Sequence, residues 1–162
     1  GALTFADAVR TVRLRGQFMQ EAVPLGEGGM AAILGLAEDK IKDICAQISA
    51  QGGTVQAVNF NCPGQIVIAG STKAVEEAAA AMKEAGAKRA ILLHVSAPFH
   101  STLMEPAAKR LAEVLDDITI ACIGPITART CQEAGLKKII TAQTYTTAGL
   151  AECITDWRIQ KS

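Results

Sequence analysis

Few side chains in this sequence can do chemistry, and they are scattered. The histidines are His94 and His100, the cysteines Cys45, Cys62, Cys122, Cys131 and Cys153, and the serines Ser49, Ser71, Ser96, Ser101 and Ser162. A hydroxyl is a poor nucleophile until a neighbouring base takes its proton, so a histidine-activated serine is the first arrangement to seek. None of these serines sits in a G-x-S-x-G context, the strand-to-helix elbow that exposes a nucleophile. Two histidines are too few for a His-based zinc site, and no ligand cluster stands out, so no metal or cofactor is called for. The cysteines are odd in number and lack a C-x-x-C pair, which suits reduced, mostly buried thiols in a cytosolic protein. His94 lies within an apolar run and reads as a satisfied or edge histidine. Gly26, Gly28 and Gly29 precede a strand, whereas phosphate-binding loops open onto a helix, so a flexible joint is expected there.

The elements that must position these residues follow from periodicity. Thr4 with Asp7 forms a capping-box-like start, with Leu3 able to staple onto the first turn, and Phe5, Val9, Val12, Met19 and Val23 recur at helical spacing until Pro24. Arg10, Arg13 and Arg15 punctuate this helix, which otherwise reads as built to lie on a sheet. Then come a strand at Met30–Leu34, a helix at Asp39–Ala50 and two strands near Val55–Phe60 and Gln65–Ala69 joined by a tight Asn61–Gly64 turn. A helix capped by Ser71 or Thr72 runs to Glu84, Gly86 stops it, and Ala90–Val95 is a fourth strand. The order βαββαβ is that of a ferredoxin-like unit. Beyond it lie a helix at Ser101–Leu115, a strand at Ile118–Ile123, a helix to Ala134 stopped by Gly135, a strand at Lys138–Ala142, and a helix capped by Thr147 that runs through Trp157. That βαβα order implies a parallel pair, with the first helix and the Ser101 helix expected to cover it. The expected class is therefore α/β (α+β): a ferredoxin-like βαββαβ lobe plus a helix-covered parallel βαβα segment of flavodoxin-like type. The expected divisions are 1–28, 29–96 and 97–162.

Composition narrows the partners. Hydrophobic residues make up 49% of 162 while aromatics make up 4%, so the core must be aliphatic and alanine-rich. Sixteen basic and sixteen acidic residues cancel, without a long run of one sign, which argues against nucleic acid or an anionic membrane as partner. No apolar stretch reaches the ~20 residues needed to span a bilayer, and no signal peptide is visible.

Three motifs carry a specific likeness. Val12-Arg-Leu-Arg15-Gly-Gln-Phe-Met19-Gln-Glu-Ala-Val-Pro24, Asn59-Phe-Asn61-Cys-Pro-Gly-Gln65 and Val95-Ser-Ala-Pro-Phe-His100-Ser-Thr-Leu-Met104 together resemble malonyl-CoA:acyl-carrier-protein transacylase over roughly residues 2–117. The resemblance implies a ferredoxin-like lobe inserted into an α/β-hydrolase-like one. It also implies ping-pong transfer of malonyl from coenzyme A through a serine to the phosphopantetheine thiol of a carrier protein. By the same resemblance His100 is the general base and acid, Arg15 the partner of the malonyl carboxylate, and Asn61 a neighbour of the site. The nucleophile serine, the glutamine segment of the oxyanion hole and the segment orienting the histidine have no counterparts in these residues, and Cys62 stands where serine is usual. From Ile118 to Trp157 the residues Ile120-Ala-Cys-Ile-Gly124-Pro-Ile-Thr127-Ala, Ala134-Gly-Leu136 and Ala142-Gln-Thr-Tyr145-Thr-Thr-Ala-Gly149-Leu150 resemble the end of uroporphyrinogen-III synthase. There Thr127, at a helix start, would be a carboxylate-binding hydroxyl.

Together these readings lead to an expectation that the chain is an artificial chimera joined near Asp117–Ile120, trimmed ahead of its nucleophile and without turnover. The alternatives are a transacylase fragment active when complemented, or a module binding a small carboxylate or acyl-CoA through Arg15 and His100. Apolar faces left uncovered are expected to promote a homodimer, with exchange of terminal helices as one route.

Overall fold

The computed structural model describes residues 4–160 and divides into two compact units, one of residues 16–107 and one of residues 1–15 with 108–162. The unit boundaries fall inside helix α1 (Phe5–Ala22), after Arg15, and inside helix α4 (Glu105–Val114), after Ala107.

The larger unit is built on a four-stranded antiparallel sheet of β1 (Gly28–Leu34), β2 (Val55–Cys62), β3 (Gln65–Ser71) and β4 (Arg89–Leu93) in the order β2-β3-β1-β4. With α2 (Glu38–Ala50) and α3 (Thr72–Glu84) this is the expected ferredoxin-like βαββαβ arrangement. The period of two along a strand sorts its side chains between two apolar clusters. Ala31, Ile33, Ile66 and Ile68 pack with Ile41, Cys45, Val75, Ala78 and Met82 of the helices. Met30, Ala32, Val67 and Ala69 turn to the other face, where Leu93, Val95 and Phe99 cover them. The small residues of α3 allow close approach: Ala74 and Ala78 are buried. Gly70 is required where β3 meets β2, because a Cβ there would lie 1.8 Å from the Thr54 carbonyl oxygen.

Several local expectations change. Thr4 and Asp7 do form the reciprocal start of α1, with Asp7 N–H donating to Thr4 Oγ1 at 3.2 Å and Thr4 Oγ1 to Asp7 Oδ2 at 2.7 Å. The staple expected of Leu3 lies outside the described residues. Phe5, Val9 and Val12 of α1 are exposed rather than laid on a sheet. Gly28 and Gly29 belong to β1 rather than to a joint, and only Gly26, at φ 88, occupies a turn. Thr72 does not cap α3; its hydroxyl donates to the Gly26 carbonyl at 2.7 Å.

The second unit holds a two-stranded parallel sheet, β5 (Ile120–Cys122) beside β6 (Ile139–Thr141), with α5 (Pro125–Glu133) and α6 (Thr147–Gln160). Its parallel sense is the one expected, but its cover comes from α5 and α6 rather than from α1 and α4. The single crossover, from β5 to β6, runs through α5, and α6 follows β6. Pro125 at the first turn of α5 and Gly135, at φ 89, just beyond its end mark the helix from both sides. The hydroxyl at the start of α6 is that of Thr146, which accepts the Gly149 N–H at 3.1 Å; Thr147 is already helical. No described helix is long and apolar enough to cross a membrane.

Candidate active site

After β4 ends at Leu93, residues 94–101 lead to a single 3₁₀ turn, Thr102–Met104, and then to α4. This loop is tacked down on both sides of His100. Ahead of it, Pro98 is fully buried against Gly28 of β1, where an added Cβ would come within 2.3 Å of the proline ring, and Phe99 packs on the second apolar cluster. Behind it, Ser101 is buried with its hydroxyl donating to the Pro98 carbonyl at 2.7 Å. The Thr102 N–H donates to Gln56 Oε1 of β2 at 2.8 Å. Between the tacks His100 takes φ 64, the only non-glycine with positive φ among the described residues. That conformation costs an L-residue ~1–2 kcal/mol and persists where its surroundings over-determine it, most often at functional sites.

The imidazole is exposed and lines an open cleft of about 370 Å³ with Gln56, Ala57, Val58, Ser101, Thr102 and Glu105. The volume sits at the small end of ligand sites. A bulge in β2 between Ala57 and Asn59 bends the strand at this point. Its neighbour Asn59 keeps a buried Oδ1 without a hydrogen-bond partner. The cleft therefore offers a proton carrier, a carboxylate and side-chain amide chemistry within one unit. Ser101, next to His100 in the chain, is spent on Pro98 and is not a poised nucleophile.

The other residues singled out from the sequence are not in this cleft. Asn61 is exposed at the end of β2 beside the hairpin turn. Arg15 is exposed on α1 and belongs to the other unit. Thr127 is exposed in the first turn of α5, whose N-cap position is Gly124. His94 is exposed just beyond β4 rather than inside a strand. Among the described residues no group of three or more histidine, cysteine or acidic side chains could hold a metal ion. Sequence reasoning missed Gln56 and Glu105. Strand alternation was the available signal for Gln56: Val55 packs among the helices, so its neighbour faces the side to which the chain returns after β4.

The family model for the acyl transferase domain matches residues 1–155. The chain belongs to the acyl transferase domain family. A malonyl CoA-acyl carrier protein transacylase of Bacillus subtilis (strain 168) is 50% identical over 160 residues, which is 95% of this chain and 50% of that protein. The one from Salmonella typhimurium is 58% identical over 121 residues, 75% of this chain and 39% of that protein. The malonyl CoA-acyl carrier protein transacylase structure from Coxiella burnetii superposes with a TM-score of 0.71 at 38% identity, covering 99% of this chain and 52% of its own. A malonyl-transacylase solved in complex with a type II polyketide acyl-carrier protein superposes at 0.68 and 34% identity, covering 95% and 66%. The chain thus spans about half the length of the curated relatives it matches.

These matches correct two expectations. The acyl transferase domain model continues past the supposed join at Asp117–Ile120 to residue 155, and the Bacillus subtilis relative aligns over 95% of the chain. No uroporphyrinogen-III synthase fragment, artificial chimera or inert scaffold is needed to account for the sequence. The likeness after Ile118 rested on three short stretches, Ile120–Ala128, Ala134–Leu136 and Ala142–Leu150, which hold a strand end, the Gly124-Pro125 and Gly135 limits of a helix and the start of the next helix. Those signals belong to any tight parallel crossover, so they do not mark one family.

Proposed function

We propose that this chain is the histidine-bearing part of a malonyl-CoA:acyl-carrier-protein transacylase, and that His100 is the base and acid of its acyl transfer. The observation that carries the reading is the strained backbone of His100, held on both sides at the rim of the cleft. The family membership supports it. In this reading the imidazole removes the proton of a serine hydroxyl supplied from outside these 162 residues. The freed oxygen attacks the thioester carbon of malonyl-CoA, and the imidazolium returns the proton to the departing thiol. The phosphopantetheine thiol of a carrier protein then reverses the sequence. Arg15 is proposed to pair with the free malonyl carboxylate, because its planar fork of donors suits bidentate contact. Asn61 is proposed to contact the substrate near the site. The reading places the protein in the cytosol, with its five cysteines unpaired. Self-association through exposed apolar residues such as Phe5, Val9 and Val12 is a further part of it, checked by light scattering.

The test joins this chain to the half of the Bacillus subtilis relative that it does not cover, and follows malonyl transfer from coenzyme A to holo carrier protein. Transfer by the hybrid, with a loss on the order of 10²-fold or more in His100→Ala, is expected. A folded hybrid without transfer, or one indifferent to the substitution, defeats the proposal.

A further inference from the structure

We infer that Gln56 is a positioning residue for His100. Its side-chain carbonyl holds the Thr102 amide and so fixes the loop in the left-handed turn that keeps the imidazole at the cleft. The functional consequence rests on the reading of His100 as the base, while the structural one stands without it. Three observations meet here. Gln56 sits in β2 opposite Ala69 of β3, between the paired Val55 and Ala57 and just ahead of the bulge, so its amide is presented from paired backbone. The bond to Thr102 spans 46 residues at 2.8 Å and ties the loop to a different strand, whereas the bonds of Ser101 to Pro98 stay within the loop. Gln56 also lines the same cleft as His100 and Thr102.

A left-handed residue relaxes to the ordinary region when its neighbours let go, because the ordinary region is favoured for any side chain with a Cβ. The Pro98 side of the loop is locked by packing, so release has to come from the Thr102 side. There Ser101 bonds Pro98 within the same loop, and the Gln56 bond is the restraint that reaches another strand. Removing the acceptor lets the peptide between His100 and Thr102 turn over, which carries the imidazole away from its place. A displacement of about 1 Å at a reacting group costs on the order of 10²-fold in rate.

The experiment has two arms. In the 162-residue chain, Gln56→Leu and Gln56→Glu are compared with wild type by amide hydrogen exchange and by the φ-sensitive HN–Hα coupling of His100. Gln56→Leu is expected to speed Thr102 exchange by roughly tenfold or more, given that exposed hydrogen bonds open locally. It is also expected to move the His100 coupling away from its left-handed value while Ile68 of β3 is unchanged. Gln56→Glu keeps an acceptor and is expected to preserve both readouts. In the hybrid enzyme, Gln56→Leu is expected to lower kcat by on the order of ten- to a hundredfold with KM for malonyl-CoA little changed, and Gln56→Glu to restore most of it. An unaltered Thr102 amide and His100 coupling in Gln56→Leu overturn the inference, and so does a loosened loop with unchanged kcat. A wild-type hybrid without transfer defeats the reading of His100 as base and leaves Gln56 to be judged by exchange and coupling alone. Should leucine unfold the strand, Gln56→Asn, one methylene shorter, repeats the comparison with polarity retained.

Discussion

His100 occupies backbone that glycine enters freely and every other residue enters at a cost. Replacing it therefore separates stability from chemistry. His100→Gly is expected to be more stable than His100→Ala by about 1 kcal/mol, read from urea unfolding, while both slow transfer on the order of 10²-fold or more. Alanine equal to or better than glycine would mean that the loop is unstrained. Gly28 governs the other tack. A Cβ at Gly28 would stand 2.3 Å from the Pro98 Cδ and 3.0 Å from Val23 Cγ1, and a proline ring cannot swing aside as a flexible chain can. Gly28→Ala is thus expected to cost about 1–3 kcal/mol in the urea midpoint and to disturb the His100 amide in the NMR spectrum. A neutral substitution would show that Pro98 does not anchor the loop. His100 was singled out from its motif, and its place on the cleft follows from the loop that carries the motif. Its conformation was not legible, since φ 64 arises from Gln56, Pro98 and Ser101 acting together, and no local signal announces that.

At the scale of elements the sheet was legible because its chemistry is periodic. The run Ile66–Ala69 marks β3 as a strand buried on both faces, and the structure sorts Ile66 and Ile68 to one face and Val67 and Ala69 to the other. Caps and covers were less legible. Thr146 and Thr147 are adjacent hydroxyls, and only the backbone decides that Thr146 accepts the Gly149 amide. The exposed face of Phe5, Val9 and Val12 looked like a core face because helical spacing reports amphipathicity and not what lies opposite. Packing also sets a pH dependence. Burial among α2, α3 and the sheet pushes the Cys45 thiol up from the ordinary 9.0 to about 11. The folded form therefore keeps its proton where the unfolded chain has released it. The stabilisation is intact below pH ~9 and lost as pH rises through about 11, by roughly 2–3 kcal/mol at most. Urea midpoints at pH 8 and pH 11 for wild type and Cys45→Ala should show the variant falling less over that interval. Parallel falls would remove Cys45 as a cause.

The whole molecule is uneven in its reinforcement. One unit has four paired strands and two covering helices; the other has two parallel strands of three residues each. A two-stranded sheet is marginal by itself, so amides of Ile139 and Ile140 are expected to exchange well ahead of those of Ile33 and Ile68. Equal protection in both would mean that the small sheet is held as firmly as the large one. Fold class was readable across both units, since the order of elements is written in hydrophobic period and glycine stops. Continuity of the family beyond Ile118 was not, because a short parallel crossover carries few residues that only one family would choose. Whether His100 drives acyl transfer is decided by a single turnover of the hybrid enzyme with malonyl-CoA, following release of coenzyme A before any carrier protein is added. A burst of one equivalent is expected with His100 in place, and a rate reduced on the order of 10²-fold or more in His100→Ala. A burst of undiminished rate without the imidazole would contradict that role.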